Sequence, residues 1–168
     1  MVKILALAGA LALTACSQAE PGTALAQAPE AESPTEAAVH PVSGLEIIDV
    51  AVVRGDERIL FKTELADTPE AQAKGLMFRT ELADDEGMLF PSPTPQARSF
   101  WMKNTPLSLD IIFIGVDGRI SNIAANTVPY STESVMSQGL ASAVFEIRAG
   151  LSEELGIVAG DRVEYTLP

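Results

Sequence analysis

Two carboxylates, Asp110 and Glu146, stand among neighbours that packing alone would not give them. Leu109, Ile111 and Phe113 alternate with Asp110, Ile112 and Ile114, so a strand here is apolar on both faces apart from one acid. Such a strand is central and buried. A carboxylate there loses several kcal/mol of solvation unless it is paired, and the expected partners are Arg79, Lys103 and Asn104. Glu146, between Phe145 and Ile147, poses the same problem on another strand. Two chemistries fit. Asp110 with Glu146, or with one of Asp84 and Asp85, would form the acid and base of a glycan hydrolase, which needs carboxyl groups about 5 to 10 Å apart in an open cleft. Alternatively, Asp110 and Glu146 satisfy backbone amides or structural ion pairs, the reading favoured here, because such networks perturb carboxylates as active sites do.

A second constellation suits binding. In Ser99–Asn104, alternation puts Trp101 and Lys103 on one face and Phe100, Met102 and Asn104 on the other. Trp101 is either a surface stacking platform or a core residue, and the lysine beside it argues for partial exposure. With Arg79 and Asn104, Trp101 and Lys103 would form a face able to hold a sugar polymer or another protein. Gly75 and Gly87 read as a helix end and a strand entry. Met77 and Met88 read as core, since no third thioether stands near them for a soft metal. Asp84-Asp85-Glu86 lacks the alternating oxygen spacing of a calcium loop and reads as a solvated turn.

The elements that must position these residues are mostly strands. Ile48, Val50 and Val52 share one face of a first strand; Ile59, Phe61, Thr63 and Leu65 share one face of a second, with Arg54-Gly55-Asp56 as the turn. Asp67-Thr68-Pro69-Glu70 starts a short helix that Gly75 ends. Further strands are expected over 87–90, 98–103, 109–114, 119–124, 143–148 and 161–167. A helical turn is expected over 151–155, closed by Gly156. The fold class is therefore mainly β (α+β): a single compact antiparallel β-barrel or sandwich-like domain with one or two short helices.

Composition removes other chemistries. The chain has 168 residues, with 11 Lys plus Arg against 23 Asp plus Glu and a net charge of −12, and its cations do not cluster. Nucleic acid is therefore not an expected partner. One cysteine and one histidine leave no internal disulfide, no Cys/His metal site and no histidine-based catalysis, so no cofactor or metal is expected.

The first residues read as an export signal: Lys3, then ten residues without a polar side chain from Ile4 to Leu13, then small residues before Cys16. The run falls short of the about 20 residues a spanning helix needs. Leu13-Thr14-Ala15-Cys16 resembles a bacterial lipobox, in which Cys16 would be acylated after removal of residues 1–15 and anchor the protein in a membrane. Ser17 resembles signals that permit transfer to the outer membrane. Residues 16–43, with seven Ala, four Pro and four Glu between Ser17 and Ser43, read as a disordered tether holding His40 as a solvated linker residue. The globular domain is expected over 44–168, as a monomer.

Five segments occur in familiar order and spacing: Gly75-Leu76-Met77-Phe78-Arg79, Gly87-Met88-Leu89-Phe90, Phe100-Trp101-Met102-Lys103-Asn104-Thr105, Leu109-Asp110-Ile111-Ile112-Phe113 and Gly160-Asp161. Together they resemble the domain of unknown function 192 family over nearly all of Leu45–Leu167. The resemblance implies a small, mainly β domain in bacterial and archaeal proteins, often exported, with no established activity. Phe145-Glu146-Ile147 replaces a more usual Leu-Glu-Leu conservatively, and Pro91-Ser92-Pro93 is expected to stiffen the loop after Phe90. Two function classes follow. One is a membrane-tethered, non-catalytic binding or scaffolding module of the cell envelope, the reading favoured here for want of nucleophilic or metal-binding residues. The other is a carboxylate-based hydrolase acting on envelope glycans.

Overall fold

The strand β1 (Ile47–Arg54) turns back through Gly55, at φ 59, into β2 (Glu57–Leu65), the hairpin that the alternation predicts. This structure, a computed structural model, describes residues 38–168. The signal segment 1–15, Cys16 and the tether as far as residue 37 lie outside the described residues. After β2 comes α1 (Pro69–Lys74), capped as its sequence requires: the Thr68 side chain accepts a hydrogen bond from the Ala71 amide, and proline takes the first turn. Gly75 closes it at φ 49, a left-handed conformation that glycine adopts without penalty.

The remaining elements are β3 (Glu86–Gln96), β4 (Ser99–Phe100), β5 (Leu109–Gly115), β6 (Ile120–Ala124), β7 (Val135–Met136), β8 (Ala141–Arg148), α2 (Leu151–Glu154) and β9 (Arg162–Tyr165). Seven strands form one sheet in the order β6-β5-β8-β3-β2-β1-β9, and β4 pairs with β7 in a second, two-stranded sheet. Two expectations are corrected. The β2–β3 pair is parallel, because α1 and the chain after it carry β3 back in at the same end. The large sheet is also not closed into a barrel. Its edges meet at one antiparallel bridge, Arg119 to Arg162, flanked by backbone hydrogen bonds from Ile120 to Asp161, Gly160 to Ile120 and Val163 to Gly118, and form no longer ladder.

Curling of this sheet makes two cores. Val50, Val52, Phe61, Leu89, Ile112, Phe145 and Ile147 fill its inner face. Met88, Phe90, Ile111, Phe113 and Val144 lie on the opposite face, covered by Leu76, Leu82 and Met102, with Phe100 and Val135 of the small sheet packed against them. This two-sided covering explains why β5 is buried at every position. Each fully buried Leu, Ile or Phe here contributes about 1.5 to 3 kcal/mol, enough to hold a neighbouring polar side chain out of water. Gly87 is needed for space: a Cβ there would stand 2.5 Å from Phe145 Cε2 and 2.8 Å from the Glu146 carbonyl oxygen.

Three further readings change. The strand expected over 98–103 shortens to Ser99–Phe100, because the chain turns at Asn104, φ 56. The expected loop at Pro91-Ser92-Pro93 is instead strand, since β3 runs on to Gln96. Its partnership with β2 has ended at Leu89, and its ladder with β8 is irregular between Pro91 and Gln96, so the prolines remove few hydrogen bonds. His40, expected to be solvated, is 9% exposed and stands 3.6 Å from Glu64 through Nδ1, while Val39 bridges Glu46. A chain cut at Gly44 loses these contacts. Among the described residues no helix is long and apolar enough to cross a membrane.

Candidate functional site

Strand register separates the two carboxylates. Asp110 pairs across to Ile147 and Ile111 to Glu146, so Asp110 and Glu146 project from opposite faces of the sheet. They do not form an acid and base pair.

Asp110 is fully buried and fully satisfied. Its Oδ1 accepts hydrogen bonds from the Asn126 and Gly150 amides at 2.8 and 3.0 Å, and its Oδ2 from the Ser152 amide and hydroxyl at 3.0 and 2.6 Å. It serves as the N-terminal cap that α2 lacks locally, where Gly150 has no side chain to offer. The expected cationic partners are elsewhere. Arg79 donates to Glu64 at 2.6 Å, a pair with side chains 12% and 3% exposed that ties the segment after α1 onto β2. Asn104 is a turn residue, its carbonyl accepting from the Phe78 amide at 2.8 Å and its Nδ2 donating to Met77 Sδ at 3.7 Å. Asp84 forms an exposed ion pair with Arg148, and Asp85 is exposed on the same turn. Among the described residues no cluster of acids and histidine is arranged to hold a metal ion.

Glu146 has a different environment. It is 4% exposed, between Met88 and Ile111 on the neighbouring strands, and its carboxyl has no hydrogen-bond partner among the described residues. Burial pushes it up to about 8 from an ordinary 4.5, so it holds its proton at neutral pH. It lines a cavity of about 360 Å³ whose walls include Gln72, Met77, Phe90, Arg98, Trp101 and Met102. That volume is at the lower end of the about 300–1,000 Å³ usual for small-ligand sites.

Each wall is fixed by identifiable contacts. Phe90 and Phe100 pack edge to face with centroids 5.0 Å apart. Arg98 donates to Ser92 Oγ at 2.7 Å and to Gln72 Oε1 at 3.3 Å, while Gln72 Nε2 donates to the Pro91 carbonyl at 2.8 Å. The Arg98 guanidinium lies 5.3 Å over the Phe100 ring, and burial lowers its pKa without removing its charge. The rim is stiffened by backbone bonds from Phe78 to Asn104, Met102 to Ser131 and Tyr130 to Thr105. Trp101 is 48% exposed on this rim, with Lys103 Nζ 5.1 Å over its ring.

Of the expected binding face, Trp101 and Lys103 stand together, whereas Arg79 lines neighbouring depressions with Phe78. Met88 is core as read, but Met77 lines the cavity. Arg98, Gln72 and Lys74 are polar cavity residues that sequence reasoning misses. The available signal is charge: Gly87–Leu109 contains Arg98 and Lys103 and no acid, in a chain with twice as many acids as bases.

Comparison with known proteins supports the family. No curated protein matches the chain. A crystal structure of a protein of unknown function from Novosphingobium aromaticivorans is 53% identical, with a TM-score of 0.75, over 78% of this chain and 94% of that one. A second crystal structure, of a proposed transcription regulator from Sinorhizobium meliloti, is 36% identical with a TM-score of 0.69, covering 72% of this chain and 95% of its own. The family model of DUF192, described as uncharacterized ACR, matches residues 50–165, which include every residue of the cavity. The chain belongs to the DUF192 family.

Proposed function

We propose that this domain is a non-catalytic binding module of the bacterial envelope, held at the periplasmic face of a membrane, in particular the outer membrane, through acylated Cys16, and that it takes its ligand in the cavity beneath Trp101. The observation that carries the reading is Glu146, a residue 4% exposed whose carboxyl makes no hydrogen bond among the described residues and opens onto a preformed cavity. A buried polar group without a partner costs stability, and a ligand that supplies the missing hydrogen bond recovers it. The hydrolase reading needs a second carboxyl about 5 to 10 Å away. Among the described residues no other acid lines the cavity. The net charge of −12 argues against nucleic acid as the ligand.

Trp101 is the only tryptophan of the chain, so its emission reports on the cavity directly. Titration with soluble fragments of peptidoglycan should give a saturable change in that emission, with the fragments recovered intact by mass spectrometry. Shortened fragments would replace the module by a hydrolase using Glu146 as general acid. An unchanged emission with peptidoglycan and with other envelope glycans would remove the binding reading.

The anchor has its own test. The protein should fractionate with membranes, and Cys16→Ser should release it or block its processing. A mature N-terminus downstream of Cys16 without acyl groups would exclude anchoring.

A further inference from the structure

Resting on the binding reading above, we infer that the cavity selects a small ligand of one or two rings that carries a single carboxylate, such as an acidic saccharide, with Arg98 as the residue that recognises the charge. Arg98 has no carboxylate within ion-pair distance among the described residues, although Arg54, Arg58, Lys62, Arg79 and Arg148 all do. Two of its hydrogen bonds, to Ser92 and Gln72, fix the guanidinium plane and leave further donors. A planar fork held in this way matches a carboxylate. Lys74 lines the same cavity, and it too has no ion pair among the described residues.

The wall opposite in character is Glu146. Holding its proton, it adds no charge against an incoming anion and offers an O–H to a hydroxyl or carbonyl of the ligand. Met77, Phe90, Met102 and the half-exposed ring of Trp101 supply apolar contact for a ring body. The limit to one charge comes from the rest of the molecule. A net charge of −12 repels a long polyanion, whereas a single carboxylate seated on Arg98 is attracted across a distance shorter than the about 8 Å screening length of physiological salt.

The test uses the full chain, the emission of Trp101 and two probes of equal size: a uronic acid disaccharide and its neutral counterpart. The acidic probe should bind at least about tenfold more tightly, equivalent to about 1.4 kcal/mol. Raising the salt concentration should narrow the gap. Arg98→Gln should bring the ratio of the two affinities close to one, whatever its effect on either affinity alone, and Arg98→Lys should retain part of the preference. Thermal melts of both variants establish that they fold. Equal binding of the two probes, or a preference that survives in Arg98→Gln, overturns the inference and leaves the binding module standing. Failure of both probes and of every envelope fragment removes the module itself, and the inference falls with it.

Discussion

Asp110→Ala is expected to lower stability by about 3 to 5 kcal/mol, because it strips three backbone amides and one hydroxyl of their acceptor in a site closed to water, at about 1 to 3 kcal/mol for each orphaned group before relaxation. The loss does not come from an unpaired cation, since among the described residues none pairs with this carboxylate. The consequence is local as well as global: β5, the segment at Asn126 and the start of α2 are held together by these two oxygens. Asp110→Asn should cost less, because one acceptor oxygen survives. It should still be harmful, because the new NH₂ must face either the pair of amides or the Ser152 amide. Denaturant melts of the three proteins decide the matter. Unchanged midpoints in both variants would show that Asp110 is not structural and make it the leading functional residue.

Glu146→Gln is expected to stabilise the domain, by an amount that depends on pH. The folded carboxyl titrates at about 8 and the unfolded one at its ordinary 4.5. Below pH 4.5 both states of the wild type are protonated and the variant has little advantage. Between 4.5 and 8 the unfolded state ionises while the folded state holds its proton, so the wild type loses stability by about 1.4 kcal/mol for each pH unit. Above 8 the folded carboxyl ionises too and the loss stays at its full size, about 3 to 5 kcal/mol in total. The amide that replaces the carboxyl in the variant does not titrate and keeps a donor. Comparing urea midpoints at pH 5, 7 and 9 cancels the other titrating groups, which are common to both proteins. A constant or shrinking gap would mean that Glu146 is not held in its neutral form.

Local chemistry is legible wherever neighbours in sequence are neighbours in space. The β1–β2 hairpin, the Thr68-Pro69 cap, the Gly75 stop and the two-sided burial of β5 all follow from spacing alone. The site is less accessible because it depends on pairings across the chain. Which face Glu146 takes is set by its register against Met88 and Ile111, 58 and 35 residues away in sequence, and no alternation inside β8 reveals it. Backbone amides are among the partners expected for Asp110 beside Arg79, Lys103 and Asn104, but which amides they are depends on Gly150 and Ser152, which reach it only once α2 has folded back. Arg98 escapes for a related reason, since its orientation depends on Ser92 and on Gln72 of α1. His40 is misjudged because a Pro- and Ala-rich context says nothing about a contact with Glu64 on β2.

The order of strands in the large sheet has a consequence for how the domain is made. β1 lies between β2 and β9, the second and the last strands to leave the ribosome, and its register with β9 runs from Val50–Tyr165 to Val53–Arg162. The sheet cannot be completed in order of synthesis: β1 lacks its second ladder until Arg162–Tyr165 arrive, and closing so long a loop precedes any reward from those contacts. The domain should fold slowly, on the millisecond to second scale of topologies built on non-local pairing. Until then, one side of the N-terminal hairpin remains open to whatever meets the nascent chain.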